Sequence, residues 1–199
     1  MFHKPRGCVT ARRDERHRTV MDYLPEEYRD THFPIGRLDR DTEGLLLITN
    51  DGTLTQRLLA PKYHVAKTYF FWAQGIPNAQ KLSEVERGVS IYRNRDDVTA
   101  PAVIKLLEQT DMRGIRHLLD DKDERLATRH GDIPAVSGLI TITEGKKHQV
   151  KRMIRYAGAK VVYLKRLSMG GLTLDGSLAP GEYRRLTEGE LELLLERKE

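Results

Sequence analysis

Apolar positions fall along the chain in two rhythms. Leu45 to Thr49 (LLLIT) is an unbroken buried-strand run, closed by the turn signal Asn50-Asp51-Gly52. Leu54, Leu58 and Leu59 follow at helical spacing until Pro61 ends them, so the order is strand, turn, helix. Lys67 to Ala73 (KTYFFWA) is aromatic and β-branched. A period of two puts Lys67, Tyr69 and Phe71 on one face and Thr68, Phe70 and Trp72 on the other. Further strands are predicted at 88–92, 138–143, 160–168 and 182–186. Val150, Met153, Ile154 and Ala157 repeat at i, i+3, i+4, i+7 with Gly158 as a stop, which predicts a helix. A second helix is predicted at the C-terminus, where Thr187-Glu188-Gly189-Glu190 forms a capping-box pattern ahead of Leu191, Leu194 and Leu195. Residues 108–137 carry mixed charge, with Asp120, Asp121, Asp123 and Glu124 crowded together and no sustained period. They read as an irregular insertion. Strands separated by helices and also by hairpin-like spacings predict an α+β fold, with a mixed, mainly antiparallel sheet flanked by helices. Neither G-x-G-x-x-G nor G-x-x-x-x-G-K-[ST] occurs to favour a dinucleotide or phosphate-loop fold.

The 199 residues suit one domain or two intimate lobes, and at 39% hydrophobic they can fill an ordinary core. The longest aliphatic run, Leu45 to Ile48, falls far short of the ~20 residues of a membrane span, and the start MFHKPRG leads into no apolar stretch. A single cysteine, Cys8, allows no internal disulfide and fits a reducing cytoplasm. Net charge is only +5, but its placement matters more than its size. Lys146, Lys147, Lys151, Arg152, Arg155, Lys160, Lys165 and Arg166 lie within 146–166 without one acidic residue. Taking those eight from +5 leaves −3 for everything else. On the predicted helix Lys147, Lys151 and Arg155 recur every four residues and share a side with Arg152, as a footprint for a polyanion would. A weaker basic stretch at the start holds Lys4, Arg6, Arg12, Arg13, Arg16 and Arg18.

Chemistry concentrates in GRLDRDTEGLLLITNDG, residues 36–52, where Arg37, Asp39, Asp41 and Glu43 immediately precede the buried strand. Asp39-x-Asp41-x-Glu43-Gly44 imitates the first half of a calcium loop, but Asn50 stands where a bidentate Glu is required. A metal nuclease needs further ligands, and the seven histidines show no H-x-H or H-E-x-x-H spacing. Taken alone, the cluster also reads as a polar turn capping a strand. Tyr69, in an aromatic strand, reads by itself as a core residue, and His148 as a helix-surface or polar-network residue.

GRLDRDTEGLLLITNDG closely resembles the catalytic motif of the ribosomal small-subunit pseudouridine synthase family (RsuA-type), which also includes several large-subunit enzymes. Other segments that resemble the family stand in its order: HKPRG at 3–7, KTY at 67–69 and ITEGKKHQVKRMIRYAG at 142–158. After them come VVYLKRLSMGGLTLDG and G-E-Y-R-R-L-T. The resemblance implies a pseudouridine synthase fold and isomerisation of a uridine already in RNA, with no cofactor and no metal. By position in the motifs it implies Asp39 as the catalytic aspartate, Tyr69 as the tyrosine that stacks on the flipped uracil, and Lys151 as the basic partner of the carboxylate. Arg37 resembles the arginine that fills or props the vacated stack, and by itself reads equally as a phosphate contact or a simple salt bridge. Lys67, Lys147 and Arg152 are expected as phosphate clamps, with Arg155 also on the RNA. Many relatives carry an S4-type RNA-binding domain ahead of the HKPRG-like segment, and this chain resembles the shorter members without it. The expected partner is therefore ribosomal RNA or an assembling ribosomal particle, bound by a cytoplasmic monomer. A catalytically idle RNA-binding or ribosome-assembly protein on the same fold is the alternative.

Overall fold

The computed structural model describes residues 1–92, 97–129 and 131–195. In chain order its elements are β1 (Phe2–Lys4), α1 (Glu26–Arg29), β2 (Phe33–Ile35), β3 (Glu43–Thr49), α2 (Gly52–Leu59), β4 (Lys67–Gln74), α3 (Ala79–Arg87) and β5 (Val103–Asp111). They continue as α4 (Asp121–Arg129), β6 (Pro134–Ile142), α5 (Gln149–Tyr156), β7 (Lys160–Met169), β8 (Leu172–Thr173) and α6 (Glu188–Leu195). The strands pair in both senses and antiparallel pairs dominate, which makes the fold α+β as the patterning predicts. The chain divides into two compact units: Met1–Lys67 with the chain from Lys165 on, and Thr68–Leu164.

In the first unit β3 is the hub. Pairing partners along its length satisfy its main chain, and its apolar side chains are buried by packing. β1 is antiparallel to it with Lys4 opposite Gly44, β2 is antiparallel with Ile35 opposite Leu47, and β7 is parallel with Gly44 opposite Arg166. Leu45 and Leu47 join Met1, Ile35, Leu58, Met169, Leu172 and Leu194 in one core. α2 starts where Asp51 caps it, its carboxylate accepting from the Thr53 and Leu54 amides at 2.7 and 3.1 Å. The predicted capping box of the last helix is present, with Glu190 accepting from the Thr187 amide and Thr187 Oγ1 from the Glu190 amide.

In the second unit the strand order is β7, β4, β6, β5. The predicted alternation along β4 holds for burial of Lys67, Tyr69 and Phe71 against half-burial of Thr68 and Phe70, but fails at Trp72, which is buried on the second face in the core of this unit. Gly138 on β6 leaves the space that Phe71 fills, since a Cβ there would meet the ring at 2.6 Å. The stretch 108–137 is not irregular: it contains the end of β5, the 3₁₀ turn Arg116–Leu118, α4 and the start of β6. Met112, Ile115, Ala127 and Ala135 from this stretch are buried with Trp72, Val162 and Tyr163 in the core of the unit. Two predicted strands are absent as strands. Residues 88–92 and 182–186 contribute only isolated bridges, Ser90 to Val98 and Phe2 to Tyr183.

Candidate active site

The turn between β2 and β3 carries Arg37, Asp39 and Asp41, and main-chain bonds hold it in place. Thr10 Oγ1 donates to the Leu38 carbonyl at 2.8 Å and accepts from the Leu38 amide at 3.1 Å. The Gly7 amide donates to the Arg40 carbonyl at 2.8 Å, and Arg40 Nε returns a bond to the Gly7 carbonyl at 3.1 Å. Within the turn the Thr42 amide reaches the Asp39 carbonyl at 3.1 Å. Lys4, wholly buried, sends its ammonium to the carbonyls of Pro5 at 2.9 Å, Thr42 at 2.8 Å and Arg40 at 3.4 Å. Burial pushes its pKa down, while nearby Cys8, Asp41, Asp39 and Glu43 push it back up. The HKPRG segment thus acts as a brace for the acidic turn, and Asp39 sits half-buried between an exposed Arg37 and an exposed Arg40.

The base of the turn is fixed by Arg166, whose Nε donates to the Leu45 carbonyl at 2.7 Å. Gly44 faces it with φ of +106°, and a Cβ there would lie 2.3 Å from the Arg166 carbonyl oxygen. Lys165 lies 3.7 Å from Glu43. Lys67, predicted as a phosphate clamp, is instead buried at the start of β4 with its ammonium on the Val65 carbonyl at 2.7 Å. Its pKa is pushed down to about 8, by burial first and by the Arg166 guanidinium second. With its ammonium bonded to main chain and enclosed, Lys67 is not the exposed phosphate clamp that the sequence suggests. A cavity of about 320 Å³ in this unit is lined by residues such as Leu24, Ile35, Leu47 and Tyr183, and by none of Arg37, Asp39 and Lys67.

In the second unit Tyr69 is buried on β4, 8% exposed. α5 buries Val150, Met153 and Ile154, as its periodicity requires, and leaves Arg155 exposed and Lys151 half-buried; Lys147, expected on the same helix, is exposed in the turn before it, because the helix starts only at Gln149 after the left-handed His148. The entry to the helix is locally built. His148 takes a left-handed φ of 54°, and buried Gln149 accepts from the Lys146 amide at 2.9 Å while donating to Glu144 at 2.7 Å. Lys146 is tied to Asp97 and to the Val98 carbonyl. Arg152 is half-buried: its Nη1 donates to the Ile91 carbonyl at 3.2 Å and its guanidinium lies 4.4 Å from the centre of the Tyr92 ring. Thr10 and Tyr92 carry no signal in the sequence, and Lys4 and Arg166, which the sequence offers as part of two basic stretches, are both buried and bonded to main-chain carbonyls instead.

Among the described residues no group of three or more His, Cys, Asp or Glu side chains is placed to hold a metal ion. No described helix is long and apolar enough to cross a membrane.

Residues 1–156 match the family model described as RNA pseudouridylate synthase. An uncharacterized RNA pseudouridine synthase of Bacillus subtilis, YtzG, is 46% identical over 197 residues, covering 98% of this chain and 72% of its own. Ribosomal small subunit pseudouridine synthase A of Escherichia coli is 37% identical over 191 residues, covering 96% of this chain and 71% of its own. A solved structure described as a pseudouridylate synthase superposes with a TM-score of 0.77 at 32% identity, over 97% of this chain and 71% of that one.

Proposed function

The chain belongs to the RNA pseudouridylate synthase family and as such isomerises uridine to pseudouridine, and we propose that it does so in ribosomal RNA with Asp39 as its catalytic carboxylate. The reaction breaks the N1–C1′ bond, turns the uracil and joins C5 to C1′. C5 loses a proton and N1 gains one, so atoms balance and no co-reactant is consumed. Bond breaking builds positive charge on the sugar and negative charge on the departing base, and an ionised carboxylate at C1′ opposes the first. Asp39 acts on the sugar, by covalent attack or as a base. Tyr69 stacks on the extruded uracil and assists removal of the C5 proton. Lys151 supplies a cation against the negative charge of the departing base. Arg37, exposed two residues before Asp39, props the stack the uridine leaves, and Lys147 and Arg155 take phosphates.

The observation that supports this reading is the braced turn itself: Lys4, Gly7 and Thr10 hold the backbone on either side of Asp39, so the main chain that carries the carboxylate is held before substrate arrives. Ribosomal RNA as substrate is supported by the Escherichia coli relative, a ribosomal small subunit synthase. The protein then works as a monomer in the cytoplasm, where a structured RNA or an assembling particle is its partner.

Incubation with ribosomal RNA transcripts followed by pseudouridine mapping tests the assignment. The parent protein is expected to form product with or without chelator, and Asp39→Asn to reduce it to background. Undiminished product from Asp39→Asn would remove Asp39 from its role. Tight binding without product from either protein would favour the idle RNA-binding alternative.

A further inference from the structure

Residues 89–92 and 97–100 are clasped onto the entry of α5. Ser90 bridges Val98, the Tyr92 hydroxyl donates to the Lys147 carbonyl at 3.2 Å, and the Ala100 amide donates to Glu144 at 2.9 Å. Lys146 reaches back to the Val98 carbonyl at 2.7 Å. At the centre of this clasp the Arg152 guanidinium lies over the Tyr92 ring, 4.4 Å from its centroid, and is oriented by the Ile91 carbonyl at 3.2 Å. Tyr92 and Arg152 are each half-buried, so their stack is at the surface and not in the core.

We propose that the Tyr92–Arg152 stack is a platform on which the protein holds an unpaired nucleobase of its RNA, beside phosphates taken by Lys147 and Arg155. The inference rests on the reading that the chain acts on RNA and adds which part of the RNA it grips. A guanidinium plane fixed over an aromatic ring presents a flat, cationic surface without further loss of side-chain entropy. Unpaired bases stack on such surfaces, whereas a duplex keeps its base faces inside. Lys147, in the turn that enters α5, and Arg155, in its last turn, are both exposed, and their charges are available to the backbone of the strand that offers the base. The substrate is therefore an RNA with an open loop or junction at the grip. Arg152, expected from the sequence to clamp phosphate, is assigned here to stacking.

The test uses the full chain and an RNA hairpin with 2-aminopurine in its loop, titrated at several KCl concentrations. Arg152→Lys keeps the charge and removes the plane, Tyr92→Leu removes the ring beneath it, and Tyr92→Phe drops only the hydroxyl. Wild type and Tyr92→Phe are expected to quench the 2-aminopurine. Arg152→Lys and Tyr92→Leu are expected to lose the quenching and bind about tenfold more weakly, with an unchanged slope of log Kd against log salt. A hairpin abasic at that position should bind wild type and both variants alike. Retained quenching in Arg152→Lys, or a shallower salt slope in Tyr92→Leu, would overturn the platform. If Tyr92→Leu does not fold, Arg152→Lys decides by itself. Wild-type quenching without pseudouridine in any ribosomal RNA would refute the enzymatic reading and leave the platform standing. Pseudouridine formation without quenching in wild type would do the reverse.

Discussion

Lys67 shows how little a residue's type says about its duty. In a count of charges it adds to a basic surface, yet it is enclosed at the head of β4 with one carbonyl, and its pKa falls to about 8. That displacement has a signed consequence. Below pH 8 the native state carries a desolvated ammonium. Between about 8 and 10.5 it has released the proton while the unfolded chain still binds it, so stability rises with pH across that window. The rise is on the order of 3 kcal/mol for a shift of this size. Urea denaturation at pH 7, 9 and 10.5 should show wild type gaining on Lys67→Met over this range; a constant difference would mean the ammonium is not desolvated. Lys4, displaced in the same direction, contributes to both proteins alike. The family, by contrast, could be picked out from the chain alone, because the runs around Asp39 and Lys151 are long and specific. Tyr92 could not, since a single aromatic in a loop has no pattern around it.

At the scale of elements, β3 and β7 meet at Gly44 and Arg166, just beyond the turn that presents Asp39. A Cβ on Gly44 would stand 2.3 Å from the Arg166 carbonyl oxygen and 2.7 Å from its amide nitrogen, and the φ of +106° disfavours any L side chain. Gly44→Ala is therefore expected to cost about 3 kcal/mol or more, read from the urea midpoint, because neither strand can move without releasing the other. A cost below about 1 kcal/mol would show the junction to be compliant. The helix α5 was readable in advance, since Val150, Met153, Ile154 and Ala157 keep its period and Gly158 ends it. Residues 88–92 and 182–186 have strand-like composition but only isolated bridges. Strand propensity reports a fit to a pleated surface, and the neighbour that completes a ladder is chosen elsewhere in the chain.

At the scale of the whole molecule, each unit keeps its own core. The stretch 108–137 belongs to the core of the second unit, and this reverses what its mixed charge suggested. Removing residues 112–134 with a short Gly/Ser splice would delete the buried Met112, Ile115 and Ala127. It should abolish cooperative unfolding of that unit in calorimetry, as large-to-small changes at such sites already cost about 2–5 kcal/mol each. A sharp transition at the parent temperature would contradict this. The chain by itself determined the strands and helices whose apolar positions keep a regular period, and the motif residues that mark an RNA pseudouridine synthase, because both are written in local order. Only the tertiary structure decided that Lys4 and Lys67 lie inside, that Arg152 stacks on Tyr92, and that an acidic, unpatterned stretch supplies core. Burial and pairing depend on neighbours tens of residues away, and no local pattern encodes them.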